Sequence, residues 1–433
     1  KLHMIYGTAE SIGCEGGSST REIDASINER DVLEAFQPNS NLNRLTIEYY
    51  KGSSFPNWLG DYHLPNLVSL QLIHCNFCSQ FPPLGQLPSL KKLYIHHSDG
   101  IEIIGKEFYG NNSTNVPFRS LKVLEFQDMP HWKEWLCVEG FPLLKNLSIK
   151  ECPMLERDLP QHLPALQKLV ISNCQKLEAS IPKADNIQEL ELIECDGKFA
   201  TELPSNSKKF ILRGNEHSEL SIANMMKRFL HGELEFDGSD FLECTSLDFS
   251  CYDSLPRLLV SGWHFSSVPF ALHVFTNLHS LELFDFPQLE SFPRGGLPSN
   301  LSKLVIHNCP KLICSREDWG LFQLSSLKYF RVSDEFENVE SFPEENLLPH
   351  TLDTLFLYNC SKLRTMNYKG LLHLKSLYIW SCPCLESLPE EGLSNSLSCL
   401  EIGMCPLIKE KYQKEGGERW HTILHIPTIK ITE

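Results

Sequence analysis

Some side chains in this 433-residue chain are types that could hold a metal, move a proton or attack a bond. Cys75-Asn-Phe-Cys78 has the C-x-x-C spacing of a redox pair or half a zinc site. Cys382-Pro-Cys384 is a closer pair. His74, His96 and His97 fall on adjacent units and could approach one another, but no acidic or thiolate partner is evident on the same face. Glu189, Glu191, Glu233, Glu235 and Asp237 make an acidic zone, interrupted by Lys209 and Arg213. None completes a reaction centre. Gly105-Lys106 lacks the following hydroxyl of a phosphate-cradling loop, Glu107 standing in its place, and Gly197-Lys198 lacks both that hydroxyl and the earlier glycine. The chain contains no G-x-G-x-x-G, H-E-x-x-H or G-x-S-x-G. An open carboxylate cluster also lacks the burial that tunes a general acid. No catalytic residue, metal ligand or cofactor-binding residue is assigned, and the chain is read as not an enzyme.

The elements that would position these residues come from an internal period. L-x-x-L-x-L-x-x-C recurs, as in Leu67-Leu70-Leu72-Cys75, Leu166-Leu169-Ile171-Cys174 and Leu374-Leu377-Ile379-Cys382. Units begin at 42, 67, 90, 121, 144, 166, 187, 207, 231, 255, 278, 301, 327, 352, 374, 397 and 426. Ser207 and His231 replace the first Leu in two of them. The last two Leu of the phrase lie two apart and share one face of a short strand. One unit cannot bury that face alone, so neighbours must stack. The period is that of a leucine-rich repeat. Eight cysteines (75, 152, 174, 195, 309, 360, 382 and 405) fill one slot of the frame, so reduced, buried thiols are expected rather than a disulfide framework. The sequons at Asn146, Asn300 and Asn359 fall in the same frame and are by-products of it; Asn112 carries a fourth.

The expected fold is an α/β-type leucine-rich-repeat solenoid, a curved horseshoe with a parallel inner β-sheet. Its convex side is rich in Pro, at 82–90, 291–301, 341–352 and 387–397, which removes donors and favours loops and short 3₁₀ turns. Residues 1–433 are expected to form one domain. Within it, 7–31 reads as a mobile loop, 105–117 as a projecting insertion and 408–433 as a C-terminal cap.

An inner strand points alternate residues to solvent, the third, fifth and seventh of each unit. Towards the C-terminus these become aromatic: Phe284, Tyr329, Arg331, Phe356, Tyr358, Tyr378 and Trp380, with Trp263 just past its strand. Any one could simply cover its ladder neighbour. Across consecutive units they form an apolar patch of interface-anchoring types, read as the protein-binding face. The acidic zone reads as a solvated face or a contact to another domain.

Composition narrows the class. Hydrophobic residues at 42% and aromatics at 10% can build a large core. A net charge of −16 argues against nucleic acid as a partner. No stretch approaches a membrane span, and KLHMIYGTAES is not a signal peptide. Lys1 stands where an initiator Met would, so the chain reads as cut from something longer.

Non-repeat phrases then carry a resemblance. They are Val32-Leu-Glu-Ala-Phe-Gln-Pro-Asn-Ser-Asn-Leu42 followed by Phe55-Pro-Asn-Trp-Leu59, and Phe81-Pro-Pro-Leu-Gly-Gln-Leu-Pro-Ser-Leu90 followed by Gly105-Lys-Glu-Phe-Tyr-Gly110. Near the end come Gly417-Glu-Arg-Trp-His-Thr-Ile423 and His425-Ile-Pro427. In this order they resemble the repeat region of plant coiled-coil, nucleotide-binding, leucine-rich-repeat disease-resistance proteins. The resemblance implies a cytoplasmic or nuclear recognition domain. Its implied partners are a pathogen effector, met directly or through a guarded host protein, and the receptor's own nucleotide-binding domain. ATP or ADP would bind that domain, whose residues are missing here, so this fragment takes no cofactor.

Two other binding proteins share such repeats. A substrate-recruiting subunit of a ubiquitin ligase would need an F-box-like segment, which residues 1–41 do not supply. An extracellular receptor ectodomain resembles a stricter repeat with paired-Cys caps, which are absent.

Overall fold

The computed structural model describes residues 1–5, 29–60, 63–110, 116–136, 138–157, 159–177, 181–182, 184, 186–195, 208–213, 233–237, 255–264, 266, 268, 272–292, 296–314, 316–333, 339–344, 346–366, 371–389, 393–414 and 416–432. The chain forms two compact units, Lys1–His217 and Ser218–Glu433.

In the first unit the strands are β1 (Leu2–Ile5), β2 (Arg44–Glu48), β3 (Ser69–Ile73), β4 (Lys92–His96), β5 (Ile103–Ile104), β6 (Val123–Gln127), β7 (Glu134–Trp135), β8 (Asn146–Lys150), β9 (Lys168–Ser172), β10 (Glu189–Ile193) and β11 (Lys209–Arg213). All but β5 and β7 pair in chain order into one parallel ladder. β5 and β7 form a separate parallel pair. The second unit repeats the plan with β12 (Glu233–Asp237), β13 (Arg257–Ser261), β14 (Ser280–Phe284), β15 (Lys303–His307), β16 (Tyr329–Ser333), β17 (Thr354–Tyr358), β18 (Ser376–Trp380), β19 (Cys399–Gly403) and β20 (Thr428–Thr432). These too pair in order and in parallel. Every repeat start read from the sequence is followed two residues later by a strand, including the starts at 207 and 231.

The residues dictate this geometry one unit at a time. In the unit starting at Leu352, Leu352, Leu355, Leu357 and Cys360 are all buried. The residue before the Cys slot is left-handed in unit after unit: Tyr49, His74, His97, Asp128, Glu151, Asn173, Glu194, Asp285, Asn308, Asn359, Ser381 and Met404 all have φ between 50° and 59°. That turn aims the next side chain inward. It also adds a rung to the ladder, because its N–H reaches the last strand carbonyl of the following unit, as in Asn359 N to Trp380 O at 2.8 Å. The slot thiol then donates to the last carbonyl of its own strand, as Cys152 does to Lys150 O at 3.2 Å and Cys309 to His307 O at 3.2 Å. The thiols at 75, 152, 174, 195, 309, 360, 382 and 405 are buried and not in disulfides.

Short 3₁₀ turns at Asn57–Leu59, Leu84–Gln86, Lys106–Phe108, Leu272–Val274, Arg316–Trp319, Leu321–Gln323 and Trp420–Thr422 carry the return side. The described α-helices are α1 (Glu29–Ala35), α2 (Pro310–Cys314) and α3 (Pro406–Tyr412).

Three expectations meet a different structure. Residues 29–31, expected in the loop over 7–31, open α1, whose Leu33 is buried; 7–28 lie outside the described residues. Residues 105–110, expected to project, pack inward. Phe108 and Tyr109 are buried against Phe118, with ring centroids at 4.8 and 5.8 Å, and Trp135 Nε1 donates to Tyr109 Oη at 2.8 Å. Aromatic rings there gain more from burial than a loop gains from solvent; 111–115 lie outside the described residues. Trp263, expected at the solvent face, is 1% exposed and stacks on Phe286. It stands in the slot that Cys fills elsewhere, and Gly262 supplies the preceding left-handed turn at φ 66°.

Candidate functional site

The solvent side of β14–β20 carries three rows of side chains, set by the unshifted register. One row runs Glu282, Val305, Arg331, Phe356, Tyr378, Glu401, Lys430. Beside it run Phe284, His307, Ser333, Tyr358, Trp380, Gly403. Tyr329 lies in the third, between Lys303 and Thr354. Of the eight residues expected on this face, Phe284, Tyr329, Arg331, Phe356, Tyr378 and Trp380 are half-buried and Tyr358 is 37% exposed. Trp263 alone is absent from it.

These residues touch across strands. The Arg331 guanidinium carbon lies 4.9 Å from the centre of the Phe356 ring and 5.9 Å from that of Tyr358. Phe356 stacks on Tyr378, with centroids 5.3 Å apart and planes 21° off parallel. Lys430 Nζ stands 5.9 Å from the Trp380 ring and donates to Glu401 at 2.6 Å. Phe284 tilts against His307, whose Nδ1 is hydrogen-bonded to Ser333 Oγ at 2.7 Å. Burial, and then the nearby Cys399 thiol, push the Tyr378 hydroxyl above the ordinary tyrosine range. Sequence reasoning passed over His307, Glu401, Gly403 and Lys430. The fifth- and seventh-residue count that found the aromatics also finds these four.

The acidic residues are placed differently. Glu189 and Glu191, on β10, both accept from Lys168 Nζ, at 2.9 and 2.8 Å. Lys168 is held above the ordinary lysine range: burial pulls it down, and the two carboxylates outweigh that. Glu233, on β12, pairs with Arg257 at 3.2 Å, and Glu235 is half-buried on the same strand. Asp237 ends β12, and its side chain lies outside the described residues. The two pairs of glutamates belong to different compact units.

The other sequence candidates sit within the repeat frame. Cys75 and Cys78 are both buried, and burial pushes Cys75 up to about 12 and Cys78 higher, so both stay protonated. A buried, protonated thiol is a poor nucleophile. His74 and His97 stack at 4.1 Å, Tyr49 lies on His74 at 4.6 Å, and His97 Nδ1 meets Asp128 Oδ2 at 2.6 Å. His96 instead meets Glu125 at 3.1 Å. Among the described residues no group of three or more His, Cys, Asp and Glu is placed to hold a metal ion. No described helix is long and apolar enough to cross a membrane.

Residues 13–98 match the family model of R13L1/DRL21 leucine-rich repeats. A putative disease resistance protein of Arabidopsis thaliana is 42% identical over 143 residues, 32% of this chain and 10% of the relative. RPP13-like protein 1 of the same plant is 41% identical over 148 residues, covering 32% and 14%. RGA2 of Solanum bulbocastanum, another disease resistance protein, is 35% identical over 131 residues, covering 29% and 14%. The chain carries leucine-rich repeats, and 29% to 32% of it is similar to these plant disease resistance proteins. These repeats align with only 10% to 14% of those relatives' lengths. Among solved structures, the circular leucine-rich-repeat protein CroV588 has a TM-score of 0.42 at 15% identity, over 87% of this chain and 68% of that one. The Leptospira interrogans leucine-rich-repeat protein LIC12759 has 0.34 at 18%, over 81% and 86%.

Proposed function

We propose that these repeats sense a pathogen effector protein inside the plant cell, and that the effector, or a host protein it modifies, seats on the solvent face of β16–β18. A second role is to hold the receptor at rest by contact with its nucleotide-binding domain, through the acidic residues Glu189, Glu191, Glu233, Glu235 and Asp237. The observation that carries the first reading is the patch of Arg331, Phe356, Tyr358, Tyr378 and Trp380 on three neighbouring strands, with Phe356 stacked on Tyr378 and Arg331 against the Phe356 and Tyr358 rings. Half-buried aromatics and arginine are the residue types that anchor protein interfaces. Differential affinity for resting and active states would let binding shift the receptor between them.

A pull-down from infected plant tissue, read by mass spectrometry, tests this. The baits are the 433-residue chain and its Tyr358→Ala/Trp380→Ala double variant. The expected result is a pathogen protein, or a host protein that appears only on infection, held by the first bait and lost by the second. A partner held equally by both places recognition elsewhere.

A further inference from the structure

The cations of the second unit's solvent face differ in one respect. Lys303 and Arg257 share the buried carboxylate of Glu282, at 2.8 and 3.1 Å. Lys430 pairs with Glu401 at 2.6 Å. Arg331, between them, pairs with no carboxylate among the described residues. Its contacts are the Phe356 and Tyr358 rings, and its buried Nε–H has no acceptor. A guanidinium carries five donors in a rigid fork that fits a carboxylate with two parallel bonds.

We propose that the partner seated on this face presents a carboxylate beside a large apolar side chain, an Asp or Glu next to an aromatic or aliphatic residue. Arg331 receives the carboxylate, and the Tyr378 and Trp380 rings receive the apolar neighbour. This rests on the reading that the face binds protein, and adds the chemistry of what it binds. The guanidinium carbon already lies 4.9 and 5.9 Å from the two ring centres, and a side chain held against its neighbours loses less freedom on binding. A nucleic-acid phosphate does not suit the site: the chain carries −16, and this face offers one open fork rather than a run of cations.

The test is selection of a random peptide library displayed on phage against the whole chain. The expected peptides share an acidic residue next to a large apolar one. Changing that residue to Gln or Asn in a synthetic peptide, which leaves the protein untouched, should weaken binding at least about tenfold. Arg331→Glu should weaken it as much, and Lys in place of the acidic residue in the peptide should restore it. Peptides that lose Trp380→Ala binding but tolerate the loss of their carboxylate overturn the carboxylate proposal and leave the face standing. Peptides that bind Trp380→Ala and Tyr358→Ala unchanged remove the face itself, and recovery of no peptide overturns both.

Discussion

The Trp380 ring lies against Gly403 on the next strand, so closely that a Cβ on Gly403 would come within 2.5 Å of its Cε3 and Cζ3. Glycine is there for that contact and not for its backbone freedom. With no side chain opposite, the indole lies flat across β19 and reaches Lys430 one strand further on. Gly403→Ala should leave the ladder intact and drive the ring off the sheet. With 5-fluorotryptophan incorporated, the ¹⁹F resonance of Trp380, assigned through Trp380→Phe, should move. An unshifted resonance would mean that the ring does not rest on Gly403 in solution.

Leu355 and Trp380 sit on opposite faces of the same sheet, and their loss should separate folding from binding. Leu355 is fully buried, so Leu355→Ala should cost about 2–5 kcal/mol in denaturant unfolding. Trp380→Ala removes cross-strand contact only and should cost about 1 kcal/mol or less. The same change should weaken partner binding by about 2 kcal/mol or more. A Trp380→Ala protein as destabilised as Leu355→Ala would show that Trp380 belongs to the core.

Trp263 gives the converse case. It is an exposed-looking aromatic by sequence and a core residue by structure. Trp263→Ala empties the slot against Phe286 and should destabilise by about 3–5 kcal/mol. Trp263→Cys restores the residue that most other units carry, but not the volume. It should recover little of that loss, because the cavity term scales with the missing atoms. Full recovery by Cys would mean that the neighbouring side chains collapse into the space.

Where the sequence was legible, the period carried the information. Leu spacing alone sets each strand start, even at 207 and 231, because a strand one residue out of register would turn its whole apolar set to water. The same frame contained the answer for Trp263. It lies eight residues after Leu255, as Cys75 lies eight after Leu67, but a large aromatic just past a strand also reads as an outward residue. Phe108 and Tyr109 were illegible for another reason. Their cluster draws on Phe118, Phe126, Trp132, Trp135 and Phe141, from different segments, and no local spacing announces a contact of that kind. Arg331 could be placed on the face, but not its contact with the rings, nor the lack of an ion-pair partner among the described residues.

The slot thiols make a chemical prediction. Burial raises Cys75 and Cys309 to about 12, and Cys174 is driven higher still, first by its hydrogen bond with Cys152 and then by burial. At neutral pH all remain thiols, and only thiolates react quickly. Native protein should therefore label slowly with iodoacetamide at these positions, and unfolded protein rapidly, by peptide mass spectrometry. A folded-state thiol pKa above the unfolded one costs stability as pH rises past the unfolded value, near 9. Fast labelling of Cys174 in the native state would show that the repeat opens there.

The stacked column of Tyr49, His74 and His97 gives stability a pH dependence of the opposite sign. Burial, and then the neighbouring His97, hold His74 below its ordinary value of 6.5, against the pull of Asp128, Asp99 and Glu48. A histidine whose folded pKa is depressed binds its proton more readily when unfolded. Its contribution is therefore complete above the unfolded pKa and is lost as pH falls below it. The melting temperature of the native chain should fall between pH 7.5 and pH 5.5, within about one unit either side of 6.5. His74→Asn keeps a residue that tolerates the left-handed turn at φ 55° and removes the titrating ring. That variant should lose less over the same range. An equal fall in both proteins would assign the pH dependence to other groups and leave the ring stack a packing feature alone.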